Sequence, residues 1–264
     1  NGLMYPRDPN DGRPEQVIRC HCYLTYTFED TLETIPKPNS TESSEHLQPE
    51  PQPTSSAVEP PQTIGEYIGA DGTFDLDRAK SDYEKFLQSV PEKNRIYLQQ
   101  ALDGVGFEEA KLKASAFGYS SKKDSIVYDL SHPAFSAYDF RTAMTHELGH
   151  RIDYTMFIRS WKNDVFSNAI LEARESIAAD PKKFLKFAED DTEGFLSDIL
   201  SAICEDEFRF PAYHEKQYWL KAGNKEREIF ANLFSLETFS VKKSLLFLST
   251  HFHDIFEAYN GFFE

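Results

Sequence analysis

The alternation of apolar and polar positions divides the chain into three stretches. From Val17 to Phe28 it has the period of a strand: Ile18, Cys20, Cys22, Leu24, Tyr26 and Phe28 share one face, and Arg19, His21, Thr25 and Thr27 share the other. One strand cannot fold alone, so residues 1–35 read as the closing piece of a domain that continues upstream. Residues 36–62 have no period. They hold seven of the 14 prolines, many Ser and Thr, and only Leu47, Ala57 and Val58 as aliphatics, too little apolar surface to offset the entropy of ordering. This stretch is expected to be an extended, proline-stiffened linker.

From residue 63 the period becomes helical. Ala79, Tyr83, Phe86, Leu87 and Val90 keep helical spacing as far as Pro91, and a second short helix follows to about Leu102. Ser125–Leu130 is β-branched and aromatic and predicts a strand. Asp139 is placed to cap a helix from Phe140 to about Ile158. Further helices are predicted over 164–178, 181–189, 193–208, 225–238 and 241–257. The expected fold class for 63–264 is therefore α+β, mainly α, with a small sheet.

Composition narrows the function. Forty-four acidic residues against 28 Lys and Arg leave a net charge of −16. That disfavours nucleic acid as a partner, because phosphate recognition needs a basic field, and it disfavours an anionic membrane surface. No apolar run approaches the ~20 residues needed to cross a bilayer. The opening Asn1-Gly-Leu-Met-Tyr-Pro has neither an initiator Met nor a charged, apolar export signal, so the chain reads as an excerpt. The three cysteines form no disulfide framework. Cys20 and Cys22 stand too close together to bridge, Cys204 stands alone, and all three read as reduced thiols. Cys20-His21-Cys22 also suggests a metal site, but no further ligands lie nearby.

The residues that carry chemistry are His146-Glu147-Leu148-Gly149-His150. Four apart on a helix, the two histidines project from one face, the spacing at which two imidazoles meet one Zn²⁺ at ~2.0–2.1 Å each. Glu147 is placed to serve as general base, taking a proton from the water that attacks a carbonyl. Gly149 lets another element approach closely. A third ligand is needed. Glu228, within an amphipathic segment, competes with Glu172, Glu175, Asp153, His214, His251 and His253, and spacing alone leaves the choice open.

His146-Glu-Leu-Gly-His150-x-x-Asp153, followed by Glu228-Ile-Phe-Ala-Asn-Leu-Phe234, resembles the gluzincin metalloproteases related to anthrax lethal factor. The specific part of that resemblance is confined to these two helices. It implies a zincin-like metallopeptidase domain with His146, His150 and Glu228 as Zn²⁺ ligands, Glu147 as general base and a peptide or protein as substrate. Relatives of this type often place a tyrosine or histidine before the third ligand to face the developing oxyanion. Tyr213, His214 and Tyr218 occupy that approach, with Tyr218 preferred over His214. The strand at Ser125–Leu130 is expected to offer an edge to an extended peptide. One position departs from the family pattern: Asn232 stands where a second acid is usual. Asp153, three residues after His150, could partly supply the missing charge.

The front end has a resemblance of its own. Tyr5-Pro-Arg-Asp-Pro9…Pro14-Glu-Gln-Val-Ile-Arg-Cys20-His-Cys22 is similar to the closing strand of phage Mu F-like minor head proteins, with Arg19 and His21 in place of the usual Asn and Arg. It implies phage head or portal proteins as partners of the upstream domain. It also implies a location in the bacterial cytoplasm during assembly and then in the virion. The combined expectation is a zinc endopeptidase carried on a minor head protein, for head-protein processing or as a delivered effector or toxin. The rival is a structural or binding module of the virion that keeps a protease-like fold without catalysis.

Overall fold

The computed structural model describes residues 63–264 apart from 113, 114, 157, 190, 192, 193, 212, 213 and 215. The predicted strand at 17–28, the linker at 36–62, Cys20, Cys22 and Tyr213 lie outside the described residues. What remains is α+β and mainly helical, as the periodicity implies.

Helices α1 (Leu76–Leu87) and α2 (Glu92–Leu102) are followed by a three-stranded sheet. Its strands are β1 (Gly106–Glu109), β2 (Phe117–Ser120) and β3 (Ser125–Tyr128), in the order β1-β3-β2. β1 runs parallel to β3, with Gly106 opposite Ser125. β2 runs antiparallel, with Phe117 opposite Tyr128. The predicted strand is therefore the central one, and the expectation that it offers an edge to a peptide is corrected: both its sides are paired. The Asp129 amide donates to the Ala116 carbonyl at 2.9 Å. By the alternation of an antiparallel ladder, Gly118 and Ser120 then also face β3, while the backbone groups of Phe117 and Tyr119 point away from it, in a strand buried at every position.

The rest is helical: α3 (Phe140–Thr155), α4 (Asp164–Ala179), α5 (Pro181–Glu189), α6 (Phe195–Cys204), α7 (Lys216–Trp219), α8 (Asn224–Thr238), α9 (Lys242–His251) and α10 (His253–Asn260). Two predicted helices differ in extent. The one expected over 193–208 is shorter, because Gly194 enters it at φ 79° and the left-handed Glu205 and Asp206 end it. The one expected over 241–257 breaks at Phe252, whose ring is buried against Phe184 and Phe247. Among the described residues no helix is long and apolar enough to cross a membrane.

α3 runs through the centre. Asp139 caps it, accepting from the Thr142 amide (2.8 Å) and hydroxyl (3.0 Å). Every residue from Thr142 to Tyr154 is buried, so the helix has no solvent face on which to leave polar groups. Arg151 ties it to its surroundings. The guanidinium holds Asp124, in the β2–β3 turn, through two 2.7 Å hydrogen bonds, and also donates to the carbonyls of Ala101 and Asp103 at the end of α2. The aromatic core lies on both sides. Phe74, Phe117, Phe135 and Phe140 pack beneath the sheet, while Phe230, Tyr259 and Phe263 pack between α8 and the C-terminal helices.

Candidate metal centre

The site forms where α3 and α8 cross. At Gly149, an added Cβ would lie 3.1 Å from the Ala231 Cα and 3.2 Å from the Ala231 Cβ. Two small residues thus bring the helix backbones close enough for side chains one turn away to meet. On α3, His146 and His150 bring their Nε2 atoms to 3.1 Å, with ring planes at 85°. From α8, Glu228 places Oε2 3.3 Å from His146 Nε2 and Oε1 3.5 Å from His150 Nε2. All three side chains are buried.

Those spacings suit a tetrahedral ion. Ligand arms of ~2.0–2.1 Å give tetrahedral edges of roughly 3.3–3.4 Å, and the observed triangle has sides of 3.1, 3.3 and 3.5 Å. Two imidazoles and one carboxylate also match the borderline softness of zinc and leave one vertex for water or substrate.

The three groups shift one another's protonation. Burial alone would raise the Glu228 carboxyl, but His150, His146 and His214 hold it well below the usual carboxylate range. Burial lowers both ligand histidines. The hydrogen bond and charge of Glu228 overcome this at His146, which ends raised, and do not at His150, which ends lowered. Glu147 is buried beside His146, and its charge acts on that ring.

Both approach residues reach the centre. The Tyr218 hydroxyl donates a short hydrogen bond to Glu228 Oε1. His214 stacks on the Tyr218 ring at 4.1 Å and meets the Trp219 ring edge-on at 5.0 Å. Its Nε2 lies 3.9 Å from an oxygen of Glu228 and 3.9 Å from Asp198 Oδ1. Both side chains thus stand against Glu228, the tyrosine by a hydrogen bond and the histidine at 3.9 Å.

The other competitors are elsewhere. Glu172 and Glu175 are exposed on α4, as is His253 at the start of α10, and His251 packs among Phe184, Phe187 and Phe247. Asp153 does not support a ligand histidine. Its two oxygens accept from the Ser160 amide (2.7 Å) and hydroxyl (2.8 Å), fixing the turn after α3.

The carboxylate that faces position 232 belongs to Asp198 on α6, a residue that no sequence motif marks. Its Oδ2 accepts from Asn232 Nδ2 at 2.7 Å. A signal was present: Asp198 is the lone charge in Phe195–Cys204, and a single acid on an otherwise apolar helix has to be buried with a purpose.

No family model, curated protein or solved structure matches the chain.

Proposed function

We propose that this chain is a zinc-dependent endopeptidase of zincin-like fold, attached to a phage minor head protein and acting in head-protein processing or as a delivered effector. The observation that carries the hydrolase reading is the triangle of His146, His150 and Glu228 donors on two crossing helices, with Glu147 beside it. Zn²⁺ held there would supply Lewis acidity and a water nucleophile at neutral pH.

The protein's own groups do the rest. Glu147 takes the proton of the attacking water as the new C–O bond forms and then passes it to the leaving amine, whereupon the scissile C–N bond breaks. Tyr218 offers a hydroxyl proton to the oxygen on which negative charge develops. The phage attachment rests on the motif at 5–22 and supports a life in the bacterial cytoplasm during assembly, then in the virion.

Asn232 in place of an acid favours the rival, a virion module that binds without cleaving. Metal analysis with activity separates the two. Wild type should carry one zinc per chain, lost in His146→Ala, His150→Ala and Glu228→Ala and kept in Glu172→Ala. Glu147→Gln should keep the metal while peptide cleavage falls by roughly 10²–10⁴-fold. A wild type that takes up no zinc sinks the hydrolase reading; zinc binding with equal turnover in Glu147→Gln removes Glu147 as the base.

A further inference from the structure

Asp198 is 4% exposed, and its helix packs along α8, which carries Glu228 and Asn232. One oxygen is committed to Asn232, and the other, Oδ1, has no hydrogen-bond partner among the described residues and faces His214 at 3.9 Å. The carboxylate is also near enough for its charge to act on Glu228 and His146. Keeping such a group inside an aromatic core is expensive unless it answers another charge.

Asp198, His214 and Glu228 could themselves be taken for a second metal pocket, since their donor atoms lie within 4.8 Å of one another. The spacing argues otherwise. His214 Nε2 stands 3.9 Å from each carboxylate, well beyond the roughly 3.3–3.4 Å edge of a zinc tetrahedron. The first triangle has that edge and the second does not. Asp198 therefore belongs to the first centre as a supporting group.

The charge at the centre explains the need. A divalent ion held by two neutral imidazoles and one carboxylate keeps a positive charge that its ligands do not cancel. Asn232, one turn after Glu228, brings none. It does bring a donor, and that donor reaches across to the carboxylate on α6.

We infer that Asp198 is the positioning carboxylate of the metal centre, supplied from α6 and joined to the ligand helix through Asn232. It balances the bound cation and holds α8, and with it Glu228, in place. This rests on the metal reading above.

Zinc dissociation constants from chelator competition test it, alongside thermal unfolding of the metal-free proteins. Asp198→Asn keeps the shape and an acceptor for Asn232. It should unfold metal-free at wild-type temperature or above, while zinc binding weakens roughly 10–100-fold, the usual cost of losing a partner behind the ligands. Asp198→Asn with Asn232→Asp moves the acid across one hydrogen bond and should recover most of that affinity, which a purely structural role would not allow.

Zinc binding by Asp198→Asn equal to wild type overturns the inference while leaving the hydrolase reading intact. So does a loss of affinity that follows a loss of metal-free stability and is not rescued by the double variant. Should Asp198→Asn fail to fold, the double variant decides: affinity within about tenfold of wild type supports the role, and anything weaker overturns it. A wild type without zinc affinity brings down both readings together.

Discussion

Replacing Gly149 by alanine puts a methyl group into the crossing of α3 and α8. The new Cβ would stand 3.1 Å from the Ala231 Cα, 3.2 Å from its Cβ and 3.4 Å from its carbonyl oxygen. Carbon contacts are comfortable at about 3.5–4.0 Å, so α8 has to retreat by roughly 0.5 Å. Two terms then oppose one another. Alanine gains up to ~1 kcal/mol over glycine in a helix interior, while overpacking a filled interior costs ~1–3 kcal/mol. The contacts here are with backbone, which cannot swing aside, so the upper part of that range applies and the net loss is about 1–2 kcal/mol. For a domain of this size that lowers Tm by roughly 2–8 °C. The same retreat widens the 3.3 and 3.5 Å spacings between the histidines and Glu228, past a tetrahedral edge of about 3.4 Å. Zinc affinity should fall about tenfold or more, comparable to losing a group that positions a ligand. Differential scanning calorimetry of chelated protein and a zinc competition titration measure the two effects. Ala231→Gly in the same chain relieves only one of the three contacts and should rescue in part. A Gly149→Ala protein as stable as wild type, with unchanged zinc affinity, refutes the view that this crossing sets the ligand spacing.

Three further outcomes follow from particular contacts. Burial raises the Asp153 carboxyl to about 7, against the hydrogen bonds from Ser160 and the charge of Arg227. The folded protein therefore holds this proton more tightly than the unfolded chain, and stability contributed below pH ~4 is lost as pH rises towards 7, by up to ~1.4 kcal/mol per pH unit. In metal-free urea titrations Asp153→Asn should make the slope shallower, leaving the share that Asp198 contributes; parallel wild-type and variant curves between pH 5 and 7.5 contradict it. Tyr218→Phe should keep zinc and lose roughly 10²–10³-fold in kcat, whereas unchanged turnover would reduce the tyrosine to a packing partner of His214. Asp124→Asn, which keeps a residue tolerant of the observed φ of 48°, removes the charge facing Arg151. Because the Asp124 side chain is 42% exposed, the cost should be about 1–2 kcal/mol, below that of a fully buried pair, and chemical denaturation reads it directly.

Helices were legible wherever an apolar stripe repeated over three turns, and least so where tertiary contacts decide. Nothing in Lys242–Asn260 marks a break: no proline interrupts it, and Phe252 alone turns the chain because its ring is drawn in against Phe184 and Phe247. β1 and β2 are four residues each, too short for a period of two to register, and β2 is buried at every position. With neither neighbour legible, β3 reads as an edge from sequence although it is the central strand. At the site, the two histidines and Glu147 could be read from spacing, but spacing could not separate Glu228 from Glu172. Exposure does: one carboxylate is buried at the crossing and the other faces solvent on α4. Asp198, which lies 48 residues after His150, is matched by no motif; only its isolation among apolar neighbours hinted at it.

The placement of these groups links chemistry to folding. His146, Glu147, His150, Asp198 and Glu228 all sit inside a core otherwise built from aromatic and aliphatic side chains. Three carboxylates so close together repel one another, and the rise of Asp198 to about 7 follows from burial first and from the Glu228 charge second. A hydrophobic interior does not keep such a set for its own stability, because apolar residues of similar volume would serve as well or better. A divalent cation bound at the histidine–glutamate triangle would turn each of these costs into an attraction, and its binding energy would then become part of the folding energy. The close helix crossing, the cap at Asp139 and the Arg151 clamp have a common consequence in that light. They hold the donors at ligand spacing, so that little of a metal's binding energy would have to be spent on bringing them together.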